Sequence, residues 1–298
     1  MTSPIISIDG LVKSFSEKQV LKGVDLDIPP GSVVGLLGTN GSGKSTLIKC
    51  LLGLFRPTAG RISILGENPW TLSAEAKERL GYVPQEVKLY PWMRVKHAVG
   101  YTAAFYPRWD YTWSERLLDR WELSRDDRVG PLSAGQLQKL ALVLALGHHP
   151  ELLILDEPVA SLDPIARREF LRTLLDIAQD ERHTVLFSTH ITSDLDRVAS
   201  HVALLKDGKI TCYEELDTLK DRIKRLRITS SAVLPDGFSI PGALRTEVSG
   251  DRALITASNV SDDLIEQLQR DHAVRISVES LNLEEIFLEL HAQPVGSI

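Results

Sequence analysis

LLGTNGSGKST, at residues 36–46, contains the pattern G-x-x-x-x-G-K-S that is typical of a phosphate-binding loop. The apolar run at residues 33–37 predicts a buried strand of a parallel sheet before the loop, and residues 44–52 predict a helix after it. The first amides and the dipole of such a helix attract anions. Lys44 could then reach the β- and γ-phosphates, and the Ser45 hydroxyl could hold Mg²⁺. A glycine-rich turn without a ligand is the alternative for a lone match.

Composition narrows the function classes. The chain has 298 residues, enough for one large or two modest domains, and its 43% hydrophobic and 25% charged residues are typical of a globular protein. A net charge of −6 argues against a protein that holds nucleic acid mainly through phosphate contacts. No apolar run approaches the roughly 20 residues that span a bilayer, so a role at a membrane would require another chain to supply the membrane part.

Cysteine usage and the N-terminal sequence predict the compartment. The two cysteines, Cys50 and Cys212, are far apart, which suits a reducing cytosol and predicts no cysteine metal site. The start MTSPIISIDG lacks the basic and long apolar regions of a secretory signal. We therefore expect a cytoplasmic protein.

Polar side chains follow three predicted strands. Gln85 comes after Tyr82-Val83, Asp156 and Glu157 end the run LLILDE, and His190 ends the run TVLFSTH. In parallel sheets, ligands bind outside the carboxyl ends of the strands. Asp156 could hold Mg²⁺ through water, Glu157 could accept a proton from an attacking water, and His190 could donate to a γ-phosphate. The alternatives are a loop glutamine, a charged turn and a surface histidine.

Capping patterns predict several helix starts. Ser133 and Gln136 form a capping box before an apolar helix, which makes another anion site at a helix N-terminus. Thr112 to Glu115 is predicted to be a second capping box. Asp163-Pro164 predicts a further helix start, with proline at the first helical position.

Aromatic residues concentrate between Tyr90 and Trp121, which hold nine of the eighteen aromatics in the chain. Either they form the core of a small helical subdomain, or some of them are exposed and dock a partner, since aromatics are enriched at interface cores. Phe15 has two interpretations as well. It could stack on an adenine ring near the loop, or it could be a core residue.

The composition changes after about residue 215. The charged stretch 221–227 is predicted to be a solvated helix end or a linker. Short alternating segments at residues 226–229, 244–248, 253–256 and 273–278, with helices at 261–270 and 283–291, predict a small α+β unit without a catalytic constellation. We therefore predict a first domain at 1–220, with a helical subdomain at about 88–148, and an accessory domain at 221–298.

Taken together and in order, these stretches resemble the ATP-binding subunit of ABC transporters over roughly residues 3–220. GTNGSGKST is similar to its Walker A, Gln85 to its Q-loop, LSAGQ to its signature and LLILDEP to its Walker B, while residues 161–163 resemble its D-loop and His190 its switch histidine. Two positions depart from the usual pattern: Ala134 replaces the first glycine of LSGGQ, and Thr39 replaces the commoner proline of Walker A. The C-terminal unit is similar to an extension found in a bacterial branch of exporter ATPases.

The resemblance implies an α/β fold of the ABC P-loop type, with a mixed sheet core and a helical subdomain. It implies an ATPase whose catalytic residues are Glu157, His190 and Gln85, with Ser45, Gln85 and Asp156 around Mg²⁺. The residues expected to bind ATP are Phe15, Gly38, Thr39, Asn40, Gly41, Ser42, Gly43, Lys44, Ser45, Thr46, Ser133, Gly135 and Gln136.

The same resemblance implies partners and a location. Two copies would pack head to tail, with ATP between the Walker A of one copy and the signature of the other. The partners would be a membrane permease and a second ATP-binding subunit, so that the chain works on the inner face of the membrane as an exporter subunit. The alternatives are an ABC ATPase with a partner outside the membrane, a P-loop kinase of small molecules, which would not need LSAGQ, and a catalytically silent subunit.

Overall fold

The structure is a computed structural model that describes residues 3–160, 162–178, 183–235, 237–272 and 274–292. The chain forms two compact units, one of Met1–Ile191 and Arg197–Tyr213, the other of Thr192–Asp196 and Glu214–Ile298. The domain boundary expected after residue 220 falls inside the second unit. None of the helices in the described ranges combines the length and apolar character that crossing a membrane requires.

The strands are β1 (Ile6–Phe15), β2 (Lys18–Ile28), β3 (Val33–Leu37), β4 (Ala59–Ile64), β5 (Leu80–Val83), β6 (Leu152–Asp156), β7 (Thr184–Thr189), β8 (His201–Lys206), β9 (Lys209–Glu215), β10 (Ile223–Ser230), β11 (Ala243–Ser249), β12 (Arg252–Ser258) and β13 (Val274–Ser280). The α-helices are α1 (Lys44–Leu51), α2 (Ala74–Glu78), α3 (Val95–Ala103), α4 (Tyr111–Arg120), α5 (Ala134–Leu146), α6 (Pro164–Ala178), α7 (Thr192–Val198), α8 (Leu216–Arg222), α9 (Asp262–His272) and α10 (Leu283–Ala292).

A six-stranded sheet, in the order β5-β6-β7-β3-β8-β9, carries the functional residues of the first unit. Strands β5, β6, β7, β3 and β8 pair in parallel. Every residue of β3, β6 and β7 is buried, as expected for strands covered on both faces. Because parallel strands end at the same edge, the P-loop after β3, the acids at the end of β6 and the histidine after β7 lie along one edge.

A second sheet, β2-β1-β4, is antiparallel and packs its apolar side chains with helix α1. Ile6, Leu21 and Ile64 from this sheet share a core cluster with Leu47 and Leu51 of α1. The cluster therefore fixes the helix that follows the P-loop. The parallel and antiparallel sheets together form the mixed sheet core of the α/β fold that we predicted.

Between α3 and α5 lies a helical region with its own buried side chains, including Leu117 and Trp121. The predicted capping box at residues 112–115 is wrong. The Asp110 carboxylate accepts a hydrogen bond from the Trp113 amide at 2.8 Å and caps α4, which begins at Tyr111. Thr112 therefore sits inside the first turn rather than at the cap.

The second unit contains a four-stranded antiparallel sheet, β11-β12-β10-β13, with α9 and α10. The prediction of a solvated helix end or linker holds only up to Arg222, where α8 ends. From Ile223 the chain forms β10, an interior strand that pairs with β12 and β13. Its charged side chains are tolerated because they find partners: Arg225 pairs with Glu285 at 2.8 Å and Arg227 with Glu279 at 2.5 Å.

Candidate functional site

The P-loop wraps around the ammonium group of Lys44. This side chain is only 6% exposed, and its Nζ donates to the carbonyl oxygens of Gly38 at 2.9 Å and Thr39 at 3.3 Å. Gly41 and Gly43 have φ values of +80° and +113°, which side chains with a Cβ rarely adopt. A Cβ on Gly38 would lie 2.5 Å from the Leu205 carbonyl oxygen, so this position also requires glycine.

Asp156, at the end of β6, lies directly beside the P-loop helix. Its Oδ1 accepts hydrogen bonds from the Ser45 hydroxyl at 3.0 Å and from the Ser188 hydroxyl at 2.8 Å. Burial, with the Asp156 charge adding to it, raises the pKa of Tyr82 to about 12. The hydrogen bond between Ser45 and Asp156 joins them as an oxygen pair of the kind that Mg²⁺ prefers in proteins.

Glu157 is held between two basic side chains. Its Oε1 lies 3.3 Å from Lys44 Nζ, and its Oε2 lies 2.9 Å from Nδ1 of His190. The carboxylate is 6% exposed, and its φ of +50° is unusual for a residue with a side chain. A buried acid with one oxygen toward the P-loop lysine and the other toward a histidine can accept or hold a proton at this edge of the sheet.

A cavity of about 320 Å³ opens at the P-loop. Gln85 lines it together with Lys44, Ser45 and Glu157, so the side chain predicted from the end of β5 does reach this site. The remaining lining residues are Val20, Asn40, Gly41, Gly43 and Thr46. The structure thus brings residues from four separate stretches of sequence into one pocket.

Phe15 lies outside the lining of this cavity. The interpretation of Phe15 as a core residue is wrong, because its side chain is 42% exposed. Its ring meets the Phe55 ring edge-on at 5.3 Å, and Lys13 Nζ lies 4.7 Å from its centroid. Its role toward an adenine ring stays a prediction.

The predicted capping box at the start of α5 is confirmed. The Ser133 hydroxyl accepts from the Gln136 amide at 3.2 Å, and the Gln136 side-chain oxygen accepts from the Ser133 amide at 2.9 Å. Ser133 is exposed and Gly135 and Gln136 are half-buried, but none of the three lines the P-loop cavity of the same chain. Of the predicted D-loop, Ser161 lies outside the described residues.

The site fits a nucleoside triphosphate with Mg²⁺. Ser42 in the P-loop has a buried hydroxyl oxygen without a hydrogen-bond partner in the protein, and Lys44 supplies a positive charge beside it. An unpaired buried polar atom is costly unless a ligand satisfies it. With the Ser45–Asp156 oxygen pair for the cation, the donor set matches phosphate and Mg²⁺ chemistry.

Ser188 is a site residue that our sequence reasoning missed. It is fully buried in β7, yet its hydroxyl contacts both Asp156 and the backbone amide of Glu157, the latter at 2.9 Å. The sequence contained one signal, a serine at the end of a strand just before His190. What it did not contain is the register that pairs Ser188 with Asp156.

This chain is similar in sequence to known proteins. Residues 21–160 match the family model described as "ABC transporter". The aliphatic sulfonates import ATP-binding protein SsuB of Pseudomonas putida is 36% identical over 246 residues, which cover 80% of this chain and 87% of that protein. The uncharacterized ABC transporter ATP-binding protein YhaQ of Bacillus subtilis is 30% identical over 295 residues, 96% of this chain and 98% of that protein.

Among solved structures, this chain is similar to a dimer of the ATP-binding cassette MJ0796 in a post-hydrolysis state bound to ADP and Pi. The TM-score is 0.63 at 25% sequence identity, and the match covers 71% of this chain and 98% of the other. The fold, the P-loop site and the extent of the sequence matches all indicate the same family. The chain therefore belongs to the ABC transporter family, as an ATP-binding subunit with ATPase activity.

Proposed function

We propose that this chain powers an ABC exporter, with two copies packed head to tail and ATP with Mg²⁺ held between them. The observation that carries the catalytic part is the junction of Lys44, Asp156, Glu157 and His190 at one sheet edge, with Lys44–Glu157 and His190–Glu157 separations of 3.3 and 2.9 Å. In phosphoryl transfer the protein mainly positions groups and stabilises charge, and these side chains can do both.

The proposed roles follow from the contacts. Lys44 and the P-loop amides bind the phosphates, while Ser45, Asp156 and Gln85 hold Mg²⁺, which neutralises developing phosphate charge when bound. Glu157 orients the attacking water and takes up its proton at Oε1 or Oε2. The hydrogen bond between His190 Nδ1 and Glu157 holds the imidazole ring in place for a contact with the terminal phosphate. Phe15 supplies an exposed ring for the adenine.

Head-to-tail pairing is supported by the signature helix. Its Ser133 cap is exposed, lies outside the cavity of its own chain and presents the N-terminus of a 13-residue helix, which favours an anion. The relative MJ0796 was solved as a dimer. We infer that Ser133, Gly135 and Gln136 complete the phosphate site of a second copy. This arrangement explains why the capped N-terminus of α5 lies away from the P-loop cavity of its own chain.

Docking to a membrane permease is supported by four exposed aromatics, Tyr90, Trp92, Tyr101 and Phe105, which we call the aromatic patch. Their side chains are 47%, 68%, 48% and 64% exposed. Successive rings lie close: Tyr90 to Trp92 at 5.1 Å, Tyr90 to Tyr101 at 5.9 Å and Tyr101 to Phe105 at 5.3 Å. A contiguous exposed apolar patch marks an interaction site.

The permease proposal is tested by recovery of the chain in washed membranes. Trp92→Ala with Phe105→Ala should release most of the protein from membranes that contain the permease. Trp70→Ala is the matched control, because Trp70 is 56% exposed but lies outside the aromatic patch. Equal retention of both variants would contradict the proposal.

The exporter proposal rests on the C-terminal unit. This unit is similar to an extension of exporter ATPases, and the match to the uncharacterized relative YhaQ, which covers 96% of this chain, includes it. Deletion of the gene separates the two directions. Loss of an exporter should raise sensitivity to at least one compound in a panel of antibiotics, ions and amphiphiles. Loss of growth on a single nutrient source, with no gain in sensitivity, would indicate import instead.

A further inference from the structure

Ser188 occupies a position between the two strands that carry the acidic residues. It is the fifth residue of β7 and is 0% exposed. In the parallel ladder of β6 and β7 it pairs with Asp156, the last residue of β6. A buried serine hydroxyl at this point needs hydrogen-bond partners, because an unpaired polar group in the core is costly.

The hydroxyl of Ser188 is both a hydrogen-bond acceptor and a hydrogen-bond donor. It accepts a hydrogen bond from the amide of Glu157 at 2.9 Å and donates its only proton to Oδ1 of Asp156 at 2.8 Å. Because a hydroxyl has a single proton, the bond to the carboxylate fixes where that proton lies. One side chain thus ties together the two consecutive acids at the end of β6.

Both hydroxyl donors of the site converge on one oxygen of Asp156. Ser45 and Ser188 donate to Oδ1 at 3.0 and 2.8 Å. Within the described part of the chain, no hydrogen bond reaches Oδ2. The paired donors therefore hold the carboxylate in one orientation and leave Oδ2 available to a cation or to its water.

The contact with Glu157 acts on a strained backbone. Glu157 has a φ of +50°, in the left-handed region that residues with a Cβ rarely adopt. Its amide is anchored by Ser188 on the neighbouring strand, while its side chain reaches Lys44 and His190. The anchored amide keeps the backbone in the conformation that points the carboxylate into the site.

We propose that Ser188 is a positioning residue that sets the Asp156 carboxylate for Mg²⁺ and the Glu157 carboxylate for water. The inference rests on the proposed roles of Asp156 and Glu157 and adds a residue that acts through them. Groups that orient a metal ligand from behind commonly change metal affinity by roughly 10- to 100-fold when removed. Ser188→Ala should therefore weaken the response to Mg²⁺ while leaving the P-loop contacts to phosphate intact.

The experiment is a titration of the full chain with ADP, without Mg²⁺ and over a series of Mg²⁺ concentrations. For Ser188→Ala we expect unchanged ADP affinity without Mg²⁺ and a roughly 10-fold higher Mg²⁺ concentration for half-maximal enhancement of binding. Ser188→Thr, which keeps the hydroxyl, should restore the response. In turnover assays at saturating Mg²⁺, Ser188→Ala should lower kcat with little change in the KM for ATP.

Thr184→Val is the matched control. Thr184 is also fully buried in β7, but its hydroxyl accepts from the Gly31 amide at the other end of the strand. It should leave the Mg²⁺ response unchanged. If Ser188→Ala does not fold, Ser188→Cys takes its place, since a thiol is a weak donor and acceptor. A parent-like Mg²⁺ response in the folded variant of this pair would overturn the inference.

Asp156→Asn separates this inference from the proposed function. A shifted Mg²⁺ response in Asp156→Asn with a normal one in Ser188→Ala would overturn the role of Ser188 alone. A normal response in Asp156→Asn as well would overturn the proposed Mg²⁺ role of Asp156, and the inference with it.

Discussion

At the residue scale, Lys44 joins the loop to the acids. Its Nζ contacts two loop carbonyl oxygens and the Glu157 carboxylate within 3.3 Å, all in a nearly buried position. A phosphate oxygen bound here would gain a charge-assisted hydrogen bond in a site with little competing water. Removing this ammonium group should therefore weaken phosphate binding, and it also leaves the buried Glu157 carboxylate without its cationic partner.

Lys44→Ala should weaken ATP and ADP binding by roughly 10- to 100-fold, since a hydrogen bond to a charged group contributes about 1.5–3 kcal/mol. Calorimetric titration measures the change. Lys49→Ala is a matched control on the same helix, because Lys49 Nζ lies 5.4 Å from the Phe55 ring centroid and not in the loop. Unchanged affinity in Lys44→Ala would remove the phosphate role from this lysine.

Glu157→Gln should bind ATP but turn over at least about 100-fold more slowly, because a general base contributes 10²–10⁴-fold. Steady-state phosphate release measures the loss, and sedimentation with ATP should show a trapped dimer. Glu86→Gln, at an exposed carboxylate that is paired with Lys88, should behave like the parent. Substantial turnover in Glu157→Gln would rule out the carboxylate as the base.

At the element scale, the Ser133 cap at the start of α5 has two roles. Its hydrogen bonds stabilise the helix, and in the proposed dimer the same N-terminus faces phosphate. Helix α2 also has a serine cap, but one that we do not place at a phosphate. The Ser73 hydroxyl accepts from the Ala76 amide at 3.1 Å and donates to the Glu67 carboxylate at 2.7 Å. The two serines therefore allow stability and ATP contact to be separated.

Ser133→Ala should lower the free energy of unfolding by about 1 kcal/mol, the usual cost of losing a serine cap. Ser73→Ala should lower it by at least as much, because the Ser73 hydroxyl also donates to Glu67. Only Ser133→Ala should also weaken ATP-driven dimerisation, which analytical ultracentrifugation of the Glu157→Gln background would detect. If both variants dimerise equally well, the signature helix has no part in binding ATP.

Local patterns predicted those elements whose cause is local. The buried strand before the P-loop, the strand ending in Asp156 and the capped start of α5 were predicted correctly, because apolar runs and capping residues act within a few residues. The outer halves of strands β1 and β2 form through pairing with each other rather than through a local apolar run.

The remaining features depend on partners that are distant in sequence. The charged stretch 221–227 was predicted to be a helix end or a linker, and only residues 226–229 of β10 were predicted as an alternating segment. Glu285 and Glu279 pair with Arg225 and Arg227 and so accommodate these charges in an interior strand. The cap of α4 is Asp110 rather than Thr112, because the helix begins at Tyr111. Ser188 gained its role from the pairing of two strands separated by more than twenty residues.

At the scale of the whole molecule, a head-to-tail dimer predicts complementation. A copy with Lys44→Ala lacks one half of a composite site, and a copy with Ser133→Arg lacks the other half. A mixed dimer of the two contains one intact site. The ATPase activity of the mixture should therefore exceed the sum of the two variants measured alone, and a merely additive rate would contradict shared sites.

Acid stability provides a second prediction at this scale. Burial lowers the pKa of His148 to about 4, and its ring stacks on Tyr106 with centroids 3.9 Å apart. The unfolded chain binds a proton at this residue below about pH 6.5, whereas the folded chain does so only below about 4. Stability should therefore fall as the pH drops through this window, by about 2 kcal/mol between pH 7.5 and 5 from this residue alone.

His148→Gln can keep a donor for the Leu80 carbonyl, which His148 Nε2 contacts at 3.2 Å, but does not titrate. Urea unfolding at pH 7.5 and pH 5 should show a smaller loss of stability in this variant. The same loss in the parent and the variant would assign the acid sensitivity to other groups.

The division of the chain into units has a consequence for its synthesis. Thr192–Asp196 groups with the segment that begins at Glu214, and Asp196 pairs with Lys220 at 3.0 Å. A ribosome releases residues in order, so residues 192–196 emerge from the exit tunnel before Lys220 does. The nascent chain can complete its nucleotide pocket early. Residues 192–196 nevertheless gain their partners in the second unit only after the segment that begins at Glu214 has emerged.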